Sequence, residues 1–155
     1  MEVGQEFFPS RHQEPPLVRI ARNHARILDI CQELERLADH LPALPDESHH
    51  LVIAQRLGAT LRRVNAVEER EFLPLLVQVL EPCDVDQCVE TLMEEHRQDE
   101  AFADEVAEVL LEWAVGERRY DAATVGYMLR GLFDNLRRHI AREHDHLLVP
   151  LSRAE

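Results

Sequence analysis

Between residues 17 and 41 apolar side chains return every three to four positions, at Leu17, Ile20, Ala21, Ile27, Leu28, Cys31, Leu34, Ala38 and Leu41. That period describes one face of an α-helix. The rhythm recurs three more times. A second helix, running to about Leu80, turns Ala54, Leu57, Leu61, Val64, Phe72, Leu75 and Val79 inward, with Pro74 placed to kink or end it. A third runs from about Val85 to Ala114 with Cys88, Leu92, Ala103, Val106, Leu110 and Trp113 on its inner face. The fourth carries Val125, Leu129, Leu132, Leu136 and Leu147 and then meets Pro150.

Turn signals separate these runs: PALPDESHH at 42–50, with Asp46 and Ser48 as N-cap candidates, Pro82-Cys83-Asp84, and Gly116 through Asp121. Long helices joined by short turns predict an all-α fold, an up-down-up-down four-helix bundle over residues 17–155. An irregular arm, residues 1–16, precedes it. Pro9, Pro15 and Pro16 rule out a long helix there, and Phe7 and Phe8 are placed to pin the arm to the bundle.

Five polar residues interrupt the apolar faces. His24 fills the gap between Ala21 and Leu28, Glu68 follows Val64, His96 follows Leu92, and His139 and Glu143 follow Leu136. Counting outward from turns centred near 44, 82 and 118 sets position 24 opposite 64 or 65, 96 opposite 68 to 70, and 139 opposite 97. At about 1.5 Å rise per residue the five groups share a slab one to two turns thick. His139 and Glu143, four apart, leave the same helical face. A buried imidazole or carboxylate needs a partner. A histidine such as His24 alone is more often a hydrogen-bonded core residue, but polar ligand types from four helices at one level point to a shared metal ion. Imidazole with carboxylate suits iron, manganese or zinc.

Composition narrows the picture. The 155 residues, 45% hydrophobic and 30% charged with five Gly, suit one helical domain. A net charge of −13 argues against a nucleic-acid surface, which would gather Lys and Arg on one face. No signal-peptide pattern and no apolar stretch near 18 residues is seen, so a cytoplasmic location without a membrane span is expected. Cys31 lies on an apolar stripe as a small core residue. Cys83 and Cys88 form no CxxC pattern, which argues against a redox or metal role.

Four segments, RNHARILDICQEL around His24, VEEREFLPLL around Glu68, MEEHRQDEAF around His96 and LRRHIAREHDHLLVPL around His139 and Glu143, resemble those of hemerythrin-like HHE cation-binding proteins, including bacterial proteins implicated in repair of iron centres. The resemblance covers about residues 17 to 152. It implies a non-haem di-iron pair held by histidines of all four helices and bridged by two carboxylates, with His24, Glu68, His96, His139 and Glu143 matching that set. It departs on helix two. The family reads H-x-x-x-E before a Leu/Phe-Pro pair, and Val64 stands four before Glu68, so one imidazole is missing. Helix four also has one residue more than usual between its glutamate and Pro150.

With one imidazole absent, one metal has an open position or a weak second site, and Asp99 or Glu100 are candidate substitutes. His146, about 10 Å along the axis from His139, is set aside, as are His49, His50 and His12. The expected function is a metal-binding protein that binds or senses O2, NO or reactive oxygen species through a small diatomic or peroxide ligand, with iron-centre repair as the narrower role. No general acid, nucleophile or nucleotide motif marks it as an enzyme. The competing reading is a degenerate, metal-free bundle acting as an interaction or regulatory module, for which Val64 is the best evidence. A hydrolytic zinc site fits less well, because paired bridging carboxylates would be surplus. A homo-oligomer is compatible with the sequence.

Overall fold

The computed structural model describes residues 14–43, 47–79, 82–149 and 151, without the side chains of residues 47, 79, 82–85 and 147. The arm of residues 1–16 therefore lies for its first thirteen residues, His12 and the Phe7–Phe8 pair included, outside the described residues. Four helical rods form the bundle. The first is α1, Pro16–His40; the second is α2, Glu47–Val67, continued through a π turn, Glu68–Phe72, into α3, Leu73–Val79; the third is α4, Pro82–Ala114; the fourth is α5, Ala122–Glu143, ending in a second π turn, His144–Leu148. The rods neighbour one another in the cyclic order α1, α2, α4, α5.

The helix ends follow from local chemistry. Pro16 opens α1 at a position where its missing N–H costs nothing. Pro82 does the same for α4, so residues 82–84, expected as a turn, belong to the helix. Ser48, expected as a cap, lies inside α2, and Asp46 falls outside the described residues. At the far end of α4, Gly116 adopts φ +83°, the left-handed conformation that glycine permits. The Glu117 N–H reaches the Glu112 carbonyl at 2.9 Å and the Gly116 N–H that of Trp113 at 3.1 Å, closing the helix. Asp121 then caps α5, its carboxylate accepting from the Thr124 N–H at 2.7 Å.

Among the described residues two apolar clusters form. The larger gathers Ile27 to Ala38 of α1, Ile53 to Val64 of α2, Ala103 to Trp113 of α4 and Val125 to Leu136 of α5, with Cys31 fully buried in it. The smaller gathers Ile20, Phe72, Leu76 and Leu151 at one end of the bundle. Between them lies a layer of polar side chains.

Two expected faces shift. In α1 the buried stripe includes Ile30 and Leu37, while Ala21 and Leu28 face outward along α5. Beyond the first π turn, Leu76 is buried and Leu75 only half so. The π turn inserts one residue into the period, so a face projected through it at 3.6 residues per turn lands one position early. Pro74 explains the insertion. It has no N–H for the Arg70 carbonyl, and the ladder widens just before it, with Leu73 N–H bonding back to Glu68. The helix is interrupted, not ended. Among the described residues no helix is long and apolar enough to cross a membrane.

Candidate metal centre

Each rod delivers its polar residue into the layer between the two cores. His24 sits between Ile20 and Ile27 of α1, Glu68 between Val64 and Phe72, His96 between Leu92 and Ala103 of α4, and His139 and Glu143 follow Leu136 on α5. All five side chains are buried, Glu68 and His96 to 2% exposure. Both glutamates stand at the start of a π turn: Glu68 is its first residue, and Glu143 immediately precedes the other. Local widening of a helix re-aims the side chains beside it, and such turns gather at functional sites.

The Nε2 atoms of the three imidazoles converge on the two carboxylates. His24 Nε2 lies 3.0 Å from Glu68 Oε1 and 2.9 Å from Glu143 Oε2. His96 Nε2 lies 3.3 Å from Glu68 Oε2 and 4.0 Å from Glu143 Oε1, and His139 Nε2 lies 3.2 Å from Glu143 Oε1. The His96 and His139 rings stack at 5.2 Å, 8° from parallel. One ligand atom from each of Glu68, His96, His139 and Glu143 can be chosen within 4.8 Å of the others. Neighbouring ligands on one ion with bonds of about 2.1 Å stand about 3 Å apart, the spacing seen here.

The outer nitrogens explain why these contacts need a positive charge. His96 Nδ1 lies 2.8 Å from Glu69, and His139 Nδ1 lies 3.0 Å from Asp99. A carboxylate only accepts, so both Nδ1 atoms carry the hydrogen. In a neutral ring Nε2 then bears a lone pair, and that pair faces carboxylate lone pairs of Glu68 and Glu143. His96 Nε2 and both Glu143 oxygens are buried without a hydrogen-bond partner. Only a proton or a metal ion relieves such an arrangement.

The proton affinities report the same field. Burial pushes the His24 imidazole toward its neutral form, yet Glu143 and Glu68 outweigh burial and raise its pKa from 6.5 to about 9. Burial acts likewise on His139, and Asp99 and Glu143 raise it to about 10. His96 is raised against its burial by Glu68 and Glu69. Burial would raise Glu143, but His139 and His24 bring it down to about 2. The cluster attracts cations, and its donor set of imidazole and carboxylate fits a borderline-to-hard metal ion.

A family model described as the hemerythrin HHE cation binding domain matches residues 16–151. The chain belongs to this family. Neither a curated protein nor a solved structure matches the chain. This hemerythrin-family chain is a metal-binding protein, with a buried histidine and glutamate cluster able to hold the ion.

The hemerythrin-family resemblance left the place of the missing imidazole open, and the structure fills it with nothing ionisable. Val64 is buried, beside a void of about 20 Å³ that its side chain lines with Ile27, Leu61, Leu136, His24 and Glu68 among others. Asp99, a candidate substitute, engages His139 Nδ1, and Glu100 accepts from Asn65 Nδ2 at 2.8 Å. Neither supplies the absent ligand through those contacts. Glu69 and Asp99, as partners of His96 and His139, are what sequence reasoning missed. Asp99 stands in the same register as Leu92, His96 and Ala103, which was the available signal, whereas Glu69 could not be told from a solvated neighbour of Glu68. His146 and His49 are exposed, and His50 is buried three turns before Leu61 on α2. Cys31 is buried and its thiol pushed by burial up to about 12, which makes it inert. Cys88 is half-buried on α4, and the Cys83 side chain lies outside the described residues.

Proposed function

We propose that His24, Glu68, His96, His139 and Glu143 are the metal ligands, that the metal is non-haem iron bridged as a pair by the two glutamates, and that the protein binds or senses O2, NO or reactive oxygen species. One observation carries the reading: His96 and His139, their Nδ1 hydrogens held by Glu69 and Asp99, turn Nε2 toward two buried carboxylates that His24 Nε2 also meets, with His96 Nε2 and both Glu143 oxygens lacking hydrogen-bond partners. Iron held there would supply redox chemistry and a position for an exchangeable ligand. The protein's own residues do the rest. Glu69 and Asp99 fix the tautomers of His96 and His139 and raise their basicity. The apolar cores on either side exclude bulk water.

Val64 makes the two halves of the site unequal. The void beside it is apolar on one side, from Ile27, Leu61 and Leu136, and faces His24 and the glutamates on the other. A space of about 20 Å³ admits a water-sized guest, which supports a diatomic or peroxide ligand over a larger one there. Support of iron-centre repair is the narrower form of this role. Zinc or manganese would satisfy the same donors, so metal identity is the decisive measurement.

Protein purified without a histidine tag from iron-replete cells should carry iron. Its visible spectrum should change on exposure to O2 or NO. Protein that takes up no metal under those conditions would return the chain to the metal-free interaction module. A zinc-loaded protein with no spectral response would remove the sensing role while leaving the ligand set in place.

A further inference from the structure

Among the described residues three surface cavities share walls with the void beside Val64, and those walls differ in kind. A cleft between α4 and α5 meets the void at Glu143, which all three imidazoles of the cluster touch. A polar cavity between the same helices meets it at Asp99 and His139, which are hydrogen-bonded at 3.0 Å. Passage by either way would separate buried polar partners, which is costly. On the α1 side a groove of about 420 Å³ meets the void at His24 and Ile140. His24 is held at 3.0 Å from Glu68 and 2.9 Å from Glu143. Ile140 is different. It is half-buried against the large cluster and carries no polar side-chain atom, so it can change rotamer without unpairing anything.

The groove suits an apolar visitor. Ala21, Ala25 and Leu28 of α1 line it together with Ile140, Ala141 and Leu148 of the fourth rod. The charged and polar groups beside them are already engaged. Arg137 is bonded to Glu35 at 2.6 Å and lies over the Phe133 ring, and His144 Nδ1 meets Asp145 at 3.1 Å. A charged solute would lose hydration there and find no partner in return. A neutral diatomic gas has no such cost. Beyond Ile140 it meets the apolar side of the void and, on the other side, Glu143, which is 3% exposed with both oxygens lacking hydrogen-bond partners.

We propose that Ile140 is the gate through which a neutral diatomic gas passes from the groove between α1 and α5 into the void beside Val64. The route is a property of the apolar packing and needs no metal. That the gas is the O2 or NO bound at the site rests on the reading above. A gate sets how fast a guest arrives and leaves and not how tightly it is held, so its signature is kinetic.

The route is tested in the metal-free full chain under oxygen pressure, because dissolved O2 is paramagnetic and speeds relaxation of the methyl protons it approaches. Val64 and Leu61, which line the void, should relax faster than the sealed Leu57 and Leu110. Ile140→Trp should bring Val64 and Leu61 down to the level of Leu57 while Leu28 in the groove keeps its enhancement. Val64 relaxing no faster than Leu57, or keeping its enhancement in Ile140→Trp, overturns the route. The gate is tested by mixing iron-loaded protein with NO. At unchanged iron content, Ile140→Trp should slow association and dissociation together by about tenfold and Ile140→Ala should speed both, with Kd preserved. Thr91→Trp, in the cleft between α4 and α5, should change neither rate. Equal rates in the two Ile140 variants, or a changed Kd at constant dissociation rate, overturn the gate and leave the metal centre standing. Protein that holds no iron overturns the site reading, and the oxygen relaxation still decides the route.

Discussion

Asp99 accepts from His139 Nδ1 at 3.0 Å, and that bond decides which nitrogen of the ring faces the cluster. Removing its charge should weaken metal binding without unfolding the helix. Asp99→Asn keeps an acceptor of lower basicity, and loss of such outer partners costs about 10- to 100-fold in metal affinity. Competition against a chromogenic chelator reads that loss directly. An unchanged affinity would mean that Glu95, 3.8 Å from the same nitrogen, supplies the field instead. The pH dependence belongs to the same atoms. His24 and His139 have folded pKa values of about 9 and about 10, above their ordinary 6.5. In metal-free protein their contribution to stability is complete below pH 6.5 and disappears as pH rises through 9 and 10. Glu143, lowered from 4.5 to about 2, contributes above pH 4.5 and loses that contribution as pH falls toward 2. The metal-free melting temperature should therefore fall from neutral to alkaline pH. Metal ions compete with the same protons, so stabilisation by metal should grow over that alkaline range. Parallel melting curves for loaded and metal-free protein from pH 6.5 to 10 would contradict it.

The helices were readable because α1 and α4 keep a single period throughout and α5 keeps it as far as Glu143, and the five polar interruptions stood out against it. In α4 the inward positions Leu92, His96, Ala103, Val106, Leu110 and Trp113 are all buried. The π turns were not readable in the same way. A periodic pattern carries no mark of one inserted residue, so Leu75 was expected inward where Leu76 is buried. Pro74 was the visible sign of trouble, but a proline signals a break in the ladder without saying how the helix accommodates it. Counting from the turns set position 24 opposite 64 or 65, yet His24 meets Glu68, about one turn further along. The element's role can be tested at its cause. Pro74→Ala restores an N–H able to close an ordinary α-helical ladder, and closure would turn Glu68 relative to His24 by up to about 100°. Helical content by circular dichroism should hold or rise, while metal affinity falls. If affinity is retained, packing of Phe72 and Leu76 in the end cluster, not the proline, holds the π turn.

At the scale of the whole molecule the polar layer divides the apolar interior. The large cluster from Ile27 to Leu136 can stand without the metal, because its helices pack over many turns. The end cluster of Ile20, Phe72, Leu76 and Leu151 has fewer fully buried members, with half-buried Leu17, Leu73, Leu75, Cys88 and Leu148 around them, and closes over a layer of buried charges. In the metal-free layer protonated imidazoles face the carboxylates, and buried ion pairs of that kind give little net stability, so the end of the bundle is where metal and folding should be coupled. Chelation should lower the melting temperature, and the added ion should restore it. At a free metal concentration of about 100 times Kd the gain is about 2.7 kcal/mol, which for a domain of this size corresponds to about 5–10 °C. The loss should also be local. After chelation, amide hydrogen exchange should accelerate first in the π turn at Glu68–Phe72, in α3 and in the turn at His144–Leu148, while Leu57, Leu110 and Leu132 in the large cluster stay protected. Uniform acceleration along all four rods would show instead that the two cores unfold as one unit and that the metal stabilises the bundle as a whole.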